Sequence, residues 1–285
     1  MTEALTAEQV AAFDADGFLI VEEGLVPAAA LPLLRERFLR LFDGDYETGI
    51  KPDEVNWVPG RDPEDRTRQI CNGWRADNTV AAQVLSARTG RLTAQLARYR
   101  GVRLLQDNVL WKPPGAKAIG FHQDGSYADY LVPAEMVTCW ISLDDLPADA
   151  GPLEYIRASH RWPRTPPQRS QFHAPEDWLA PARAAAPDGV SLDVVPVAVK
   201  AGGGSFHHGL TWHGSSPNAN ASVARMALVS HLIPAEARFH ERNVDLIYSR
   251  YRRQGDLALD ESFFPVVWDE SGYRTPWLAE LPDLE

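Results

Sequence analysis

The hydrophobic period of this 285-residue chain changes once, near Gly101, and that change limits the fold more than any single motif. Before it, apolar residues recur at helical spacing. Thr6-Ala7-Glu8-Gln9 reads as a capping box, in which threonine and glutamine side chains satisfy free backbone N–H groups, and it opens a helix with Val10 and Phe13 on one face. Gly17 ends that helix, and Phe18 to Val21 is a short β-prone run. Pro27 suits the first turn of a second helix whose Leu31, Leu34, Phe38 and Leu41 make one stripe. Asp43 to Asp77 is polar and broken by Pro and Gly. Thr79 to Arg98 returns to helical spacing through Val80, Val84, Leu92 and Leu96.

After Gly101 the pattern is that of strands. Val102 to Trp111 reads as one, stopped by the turn signal Lys112-Pro113-Pro114-Gly115. Met136 to Leu143, Ser191 to Val199, Ser205 to His213 and Val223 to Ile233 follow. Helices first and strands after predict a mainly β protein with flanking helices, an antiparallel barrel or sandwich, as one domain over residues 1–285. His160 to Gly189, rich in Pro, Arg and Ala, reads as a long insertion placed to act as a lid. Phe263, Phe264, Trp268 and Trp277 in the tail are suited to docking on the body. Gly202-Gly203-Gly204 is not a phosphate loop, since neither Lys-Ser/Thr nor a helix follows.

Lys plus Arg number 28 against 39 Asp plus Glu, a formal charge of −11, which argues against nucleic acid or an anionic membrane as partner and leaves a small molecule. The N-terminus lacks the basic and apolar regions of a signal peptide, and no apolar run reaches the roughly 20 residues needed to span a bilayer. Cys71 and Cys139 are too few for a disulfide framework. A soluble cytoplasmic enzyme is the expectation.

Three segments carry chemistry. In extended backbone, residues i and i+2 point the same way, so His122 and Asp124 can present an imidazole beside a carboxylate. Phe206 to Asn218 offers His207, His208 and His213 as a further ligand. Two neutral imidazoles and one carboxylate on one face, with open positions opposite, form the site of non-haem iron(II) oxygenases, and zinc fits the same donors. Finally, Arg225 lies within an otherwise apolar strand. If it faces the core it needs a partner, and a guanidinium grips a carboxylate with two hydrogen bonds.

Taken in order, these pieces resemble the phytanoyl-CoA dioxygenase family of Fe(II)/2-oxoglutarate-dependent oxygenases. They run from the Thr6 capping box through Lys112-Pro-Pro-Gly, His122-Gln-Asp, Thr138-Cys-Trp-Ile-Ser-Leu-Asp-Asp, Gly151-Pro-Leu and Ser159-His160 to His208-Gly-Leu-Thr-Trp-His-Gly-Ser-Ser-Pro-Asn218 and Arg225. Tyr155-Ile-Arg-Ala-Ser-His160 departs from the family's usual Pro-Gly-Ser-His run. The resemblance implies a double-stranded β-helix (jelly-roll, cupin-like) core, with His122, Asp124 and His213 as ligands of Fe(II) and Arg225 holding the far carboxylate of 2-oxoglutarate. Trp140, Asn108 and Ser215 match positions lining the co-substrate pocket, and Gln123, Tyr127 and Tyr130 lie where the family forms its pocket mouth. Dioxygen is the oxidant. Because Asp124 keeps the carboxylate that related halogenases lack, the resemblance implies hydroxylation, cyclisation or desaturation without halide transfer, in natural-product tailoring. A metal-dependent hydrolase or isomerase could use the same three ligands but has no use for Arg225. An acyl-CoA substrate would need a basic cluster, for which Arg161, Arg164 and Arg169 are the only local residues.

Overall fold

The protein is described by a computed structural model covering residues 4–168 and 175–284. Its larger sheet has eight antiparallel strands. Seven run in the order Phe18–Val21, Gly204–His208, Val137–Ser142, Arg225–Pro234, Gly101–Lys112, Arg68–Cys71 and Glu54–Val55. The eighth, Val266–Asp269, also pairs with Gly101–Lys112. A smaller sheet orders Ile119–His122, His213–Ser215, Leu153–Ile156 and Val194–Pro196. Among the described residues the two sheets are not hydrogen-bonded into a closed barrel. They stack as a double-stranded β-helix, with Trp140, Ala227 and Val229 of the larger packed on Leu153 and Tyr155 of the smaller.

Alternation along the strands divides the larger sheet into two unlike faces. Val137, Cys139, Ile141, Phe206, Leu228, Leu232, Val109 and Ile70 point outward into the main hydrophobic core. That core is completed by the helices Ala7–Asp16, Leu31–Phe42, Asn78–Val84 and Ala87–Ala97. The stripe Leu31, Leu34, Phe38 and Leu41 is buried there as its spacing requires, and the capping box joins Thr6 and Gln9. The intervening residues Thr138, Trp140, His207, Arg225, His231 and Asn108 face inward, toward the smaller sheet.

The structure departs from the expected elements in four places. Thr79–Arg98 is two helices, because Ser86 caps a new one by accepting from the Thr89 N–H. Ser205–His213 is not one strand: Gly204–His208 belongs to the larger sheet and His213–Ser215 to the smaller, with Gly209–Trp212 turning between them. Only Val194–Pro196 of Ser191–Val199 is strand. The described part of His160–Gly189 does not lie loose over a site. Trp162, Trp178, Leu179 and Ala182 pack with Phe121, Ile156 and Trp212, and Trp178 O accepts from Phe121 N at 2.8 Å.

The triple glycine is explained by contact distances. A Cβ on Gly204 would sit 2.0 Å from Trp140 O, and one on Gly203 2.1 Å from Glu22 O, so close strand approach excludes side chains there. In the tail, Phe264 is buried and Trp277 stacks on Trp74 at 5.5 Å. Both cysteines are free and buried. Among the described residues no helix is long and apolar enough to cross a membrane.

Candidate metal centre and co-substrate pocket

His122 ends one strand of the smaller sheet and His213 begins its neighbour, and the two are cross-strand partners with ring centroids 4.2 Å apart. Each ring is held by its inner nitrogen: His122 Nδ1 is 2.9 Å from Gly120 O, and His213 Nδ1 is 3.0 Å from Thr211 O. A carbonyl can only accept, so both Nδ1 atoms carry the proton and both Nε2 lone pairs are free. This is how metal-binding histidines are usually oriented. Both Nε2 atoms lie 3.5 Å from Asp124 Oδ1. The ligand atoms of His122, Asp124 and His213 all fall within 4.8 Å of one another, and all three residues are buried or nearly so.

Asp124 opens a short turn after its strand, fixed where Gly125 N donates to Gly209 O at 2.6 Å. Its two oxygens have different tasks. Oδ1 faces the free imidazole nitrogens, while Oδ2 accepts from Thr138 Oγ1 at 2.7 Å and from His207 Nε2 at 2.9 Å. Tyr155 OH stands 2.9 Å behind His207 Nδ1 and 2.7 Å from Ser205 Oγ. Burial alone would raise the Asp124 pKa, but His213, His231, His122 and His207 around it hold it well below the usual carboxylate range. Burial and His213 push His122 down, whereas Asp124 raises His213 despite burial. Burial takes His207 down to about 3, so it is neutral. The donor set of two imidazole nitrogens and one carboxylate oxygen fits a borderline divalent metal.

Arg225, the first residue of its strand, is 1% exposed. Its Nη1 donates to Gly151 O at 2.7 Å, Nε has no partner among the described residues, and the guanidinium lies 5.8 Å from the Trp140 ring centre. No carboxylate among the described residues forms an ion pair with it. Burial lowers its pKa to about 10, with only Glu154 opposing. Lys112, its cross-strand partner, is also fully buried and donates to Ser215 Oγ at 2.7 Å and to Ser216 O. Burial and Arg225 push the Lys112 pKa well down. Lys112 is thus more than a turn residue: it ties Ser215 and Ser216 to the strand beside the buried guanidinium of Arg225.

Trp140 lies near the Arg225 guanidinium, and Ser215 is bonded to Lys112, the cross-strand partner of Arg225. Asn108 is engaged elsewhere, with Nδ2 3.0 Å from His231 Nε2. Gln123 is not at a pocket mouth; it is fully buried, donating to Leu210 O at 2.9 Å and accepting from Thr165 N at 3.0 Å. Tyr130 is a packing aromatic beside Phe239 and Tyr248, and Tyr127 is half-buried. His208 faces His160, away from the centre. His207, Thr138 and His231 were not singled out from sequence for supporting Asp124. The signal was strand alternation, which puts His231 on the same face as Arg225. Arg161 donates to Asp14 O and Arg164 to Ala134 O, while Arg169 lies outside the described residues.

The fold is similar to those of several solved structures. The epimerase SnoN from nogalamycin biosynthesis superposes with a TM-score of 0.67 at 19% identity, over 91% of this chain and 97% of that one. The carbocyclase SnoK from the same biosynthesis gives 0.70 at 22%, over 92% and 96%. EctD from S. alaskensis, with 2-oxoglutarate and 5-hydroxyectoine, gives 0.67 at 18%, over 90% and 87%. No curated relative matches the sequence. The model of the phytanoyl-CoA dioxygenase (PhyH) family matches residues 13–227, so the chain belongs to that family and is an Fe(II)/2-oxoglutarate-dependent oxidoreductase.

Proposed function

We propose that His122, Asp124 and His213 hold the iron, that Arg225 binds the far carboxylate of 2-oxoglutarate, and that the chain hydroxylates or oxidatively cyclises a polar, sugar- or hydroxyl-bearing secondary metabolite. One observation carries the reading. The candidate donor set is braced against the inward face of the larger sheet by His207 and Thr138, and on that same face Arg225 is buried with no partner at Nε among the described residues. A metal-dependent hydrolase or isomerase would account for the donors and leave Arg225 without a ligand.

Loaded with iron, 2-oxoglutarate and dioxygen, the centre supplies C–H oxidation coupled to loss of carbon dioxide from the co-substrate. The remaining work belongs to the protein. Gly120 and Thr211 carbonyls orient the imidazoles, and His207 with Thr138 turns Asp124 so that one oxygen faces the metal. Trp140, Ala227 and Val229 keep water from the Arg225 end. Lys112 fixes Ser215 and the Ser216 carbonyl beside it. Retention of Asp124 supports oxidation without halide transfer.

Three observations support the substrate class. The similar folds include enzymes whose names place them in nogalamycin biosynthesis and one crystallised with 5-hydroxyectoine. The chain is acidic. Arg161 and Arg164 are bound to backbone carbonyls rather than gathered for coenzyme A phosphates. The test is succinate release from 2-oxoglutarate with and without Fe(II). Iron-dependent succinate is expected, and its absence in folded, metal-loaded protein refutes the reading.

A further inference from the structure

The hydrogen bonds behind Asp124 have a direction that can be followed outward. Asp124 Oδ2 only accepts, so Thr138 Oγ1 gives it its proton at 2.7 Å. Thr138 must then accept from His231 Nδ1 at 3.0 Å, which makes His231 the Nδ1–H tautomer with a lone pair on Nε2. Asn108 Nδ2 donates to that lone pair at 3.0 Å. The Asn108 carbonyl is thereby turned away from His231, and it accepts from Gln106 Nε2 at 2.6 Å and Gln69 Nε2 at 3.3 Å. Gln69 Nε2 also lies 3.0 Å from Cys71 Sγ.

Both glutamines spend their NH2 groups in this way. Among the described residues every side-chain hydrogen bond of Gln69 and Gln106 runs through Nε2, leaving both carbonyl oxygens without a partner. Both side chains sit on the inner face of the larger sheet, Gln106 opposite His231 where a bulge shifts the register. Ile70 and Asp107, their outward-facing neighbours in the chain, are completely buried, whereas Gln69 and Gln106 are only half-buried. Facing inward and still partly exposed, both side chains remain open to solvent and to a bound molecule. The surrounding charge is acidic or neutralised: Glu54 Oε2 is 3.8 Å from Cys71 Sγ, and Arg75 is paired with Asp53, which Asn72 and Tyr251 also hold.

We infer that Gln69 and Gln106 form the wall that recognises the substrate, and that their carbonyl oxygens accept hydrogen bonds from its hydroxyl or ammonium groups. This rests on the iron/2-oxoglutarate reading above and adds to it the chemistry the substrate must present. A wall of acceptors beside carboxylates suits a polyol, glycoside or amino sugar and disfavours a phosphate-bearing thioester. It also ties substrate recognition to the metal, because the residue orienting both amides is three hydrogen bonds from the metal-binding carboxylate.

The test uses zinc-loaded full-length protein with 2-oxoglutarate, and reads binding calorimetrically or by ligand-observed NMR. The probes are methyl α-D-glucopyranoside, its per-O-methyl ether, and palmitoyl-coenzyme A. The glycoside should bind more tightly than its ether, which keeps the ring and loses the donors. Gln106→Met should weaken glycoside binding about tenfold, the equivalent of one lost hydrogen bond to a desolvated acceptor. An unchanged melting temperature and unchanged 2-oxoglutarate binding of Gln106→Met separate recognition from misfolding. Equal binding of glycoside and ether, preference for palmitoyl-coenzyme A, no glycoside binding, or an unaltered Gln106→Met variant each overturn the inference. Iron-dependent succinate release by the wild type is scored separately, so loss of the parent reading is seen apart from loss of this one.

Discussion

His207 Nε2 donates to Asp124 Oδ2 at 2.9 Å, on the side of the carboxylate turned away from His122 and His213. Sequence alone set His207 among the rivals for the second imidazole ligand. The fold gives it another task, holding one carboxylate oxygen while the other faces the Nε2 atoms of His122 and His213. Adjacent residues on a strand point to opposite faces, which is why His207 turns inward and His208 turns toward His160.

Replacing His207 with Leu should therefore lower metal affinity without removing a ligand. Loss of such a supporting partner typically costs about 10- to 100-fold in affinity. Titration of the apoprotein with Fe(II) under anaerobic conditions, or with Zn(II), measures it, and His207→Gln should recover part of the loss through its amide N–H. Unchanged affinity in the leucine variant would show that Asp124 needs no such support.

Arg225→Ala should separate co-substrate from metal. The guanidinium is buried, keeps one backbone partner and leaves Nε open, so the variant loses a charged, desolvated anchor. The expected cost to 2-oxoglutarate binding is about 2–5 kcal/mol, roughly 30-fold or more. Metal affinity should move little, since Arg225 makes no hydrogen bond to His122, Asp124 or His213. Parallel titrations with 2-oxoglutarate and with metal decide it; equal losses in both would mean that Arg225 supports the fold instead.

The helical layer was legible in sequence because it rests on local signals: the Thr6 capping box, Gly17 as a stop, and the stripe from Leu31 to Leu41. The candidate donors His122 and Asp124 stood out in sequence because they lie two residues apart on one extended segment. What surrounds them was not, because strands distant in the chain assemble it. His207, Thr138, His231 and Gln106 form one continuous cross-strand row, with registers His207↔Thr138, His231↔Thr138 and His231↔Gln106. No spacing within a single segment reveals such a row. Ser205–His213 read as one strand because its apolar and histidine content runs on through Gly209, where the chain crosses between sheets.

Gly204→Ala tests the close approach that the triple glycine permits. A Cβ there would meet Trp140 O at 2.0 Å and Ile141 Cα at 3.0 Å, both backbone atoms that cannot rotate aside. The strand carrying Ser205 and His207 would have to move. Overpacking of this kind costs about 1–3 kcal/mol. A lower melting temperature is expected, together with weaker metal binding, because the displaced strand carries His207. A variant as stable as the wild type would show that the strand can shift at little cost.

Asp107 gives the protein a stability that depends on pH. The side chain is fully buried on the outward face of its strand; Oδ1 accepts from Trp74 N at 3.1 Å and Oδ2 has no partner. Burial pushes its pKa up to about 8, with Asp53 adding to the effect and the Trp74 N–H opposing it. In the unfolded chain an aspartate titrates near 4, so between about pH 4 and 8 the unfolded state holds fewer protons at this site than the folded state. Stability from this group is therefore complete below about pH 4, declines as pH rises to about 8, and is level beyond. The slope is at most about 1.4 kcal/mol per pH unit. Asp107→Asn keeps a neutral group of the same shape and removes the titration. Its stability relative to wild type, from urea melts at pH 5, 7 and 9 (about evenly spaced across the window), should rise from pH 5 to pH 9. A constant difference would mean that Asp107 is ionised in the folded protein, with its charge met by groups other than Trp74.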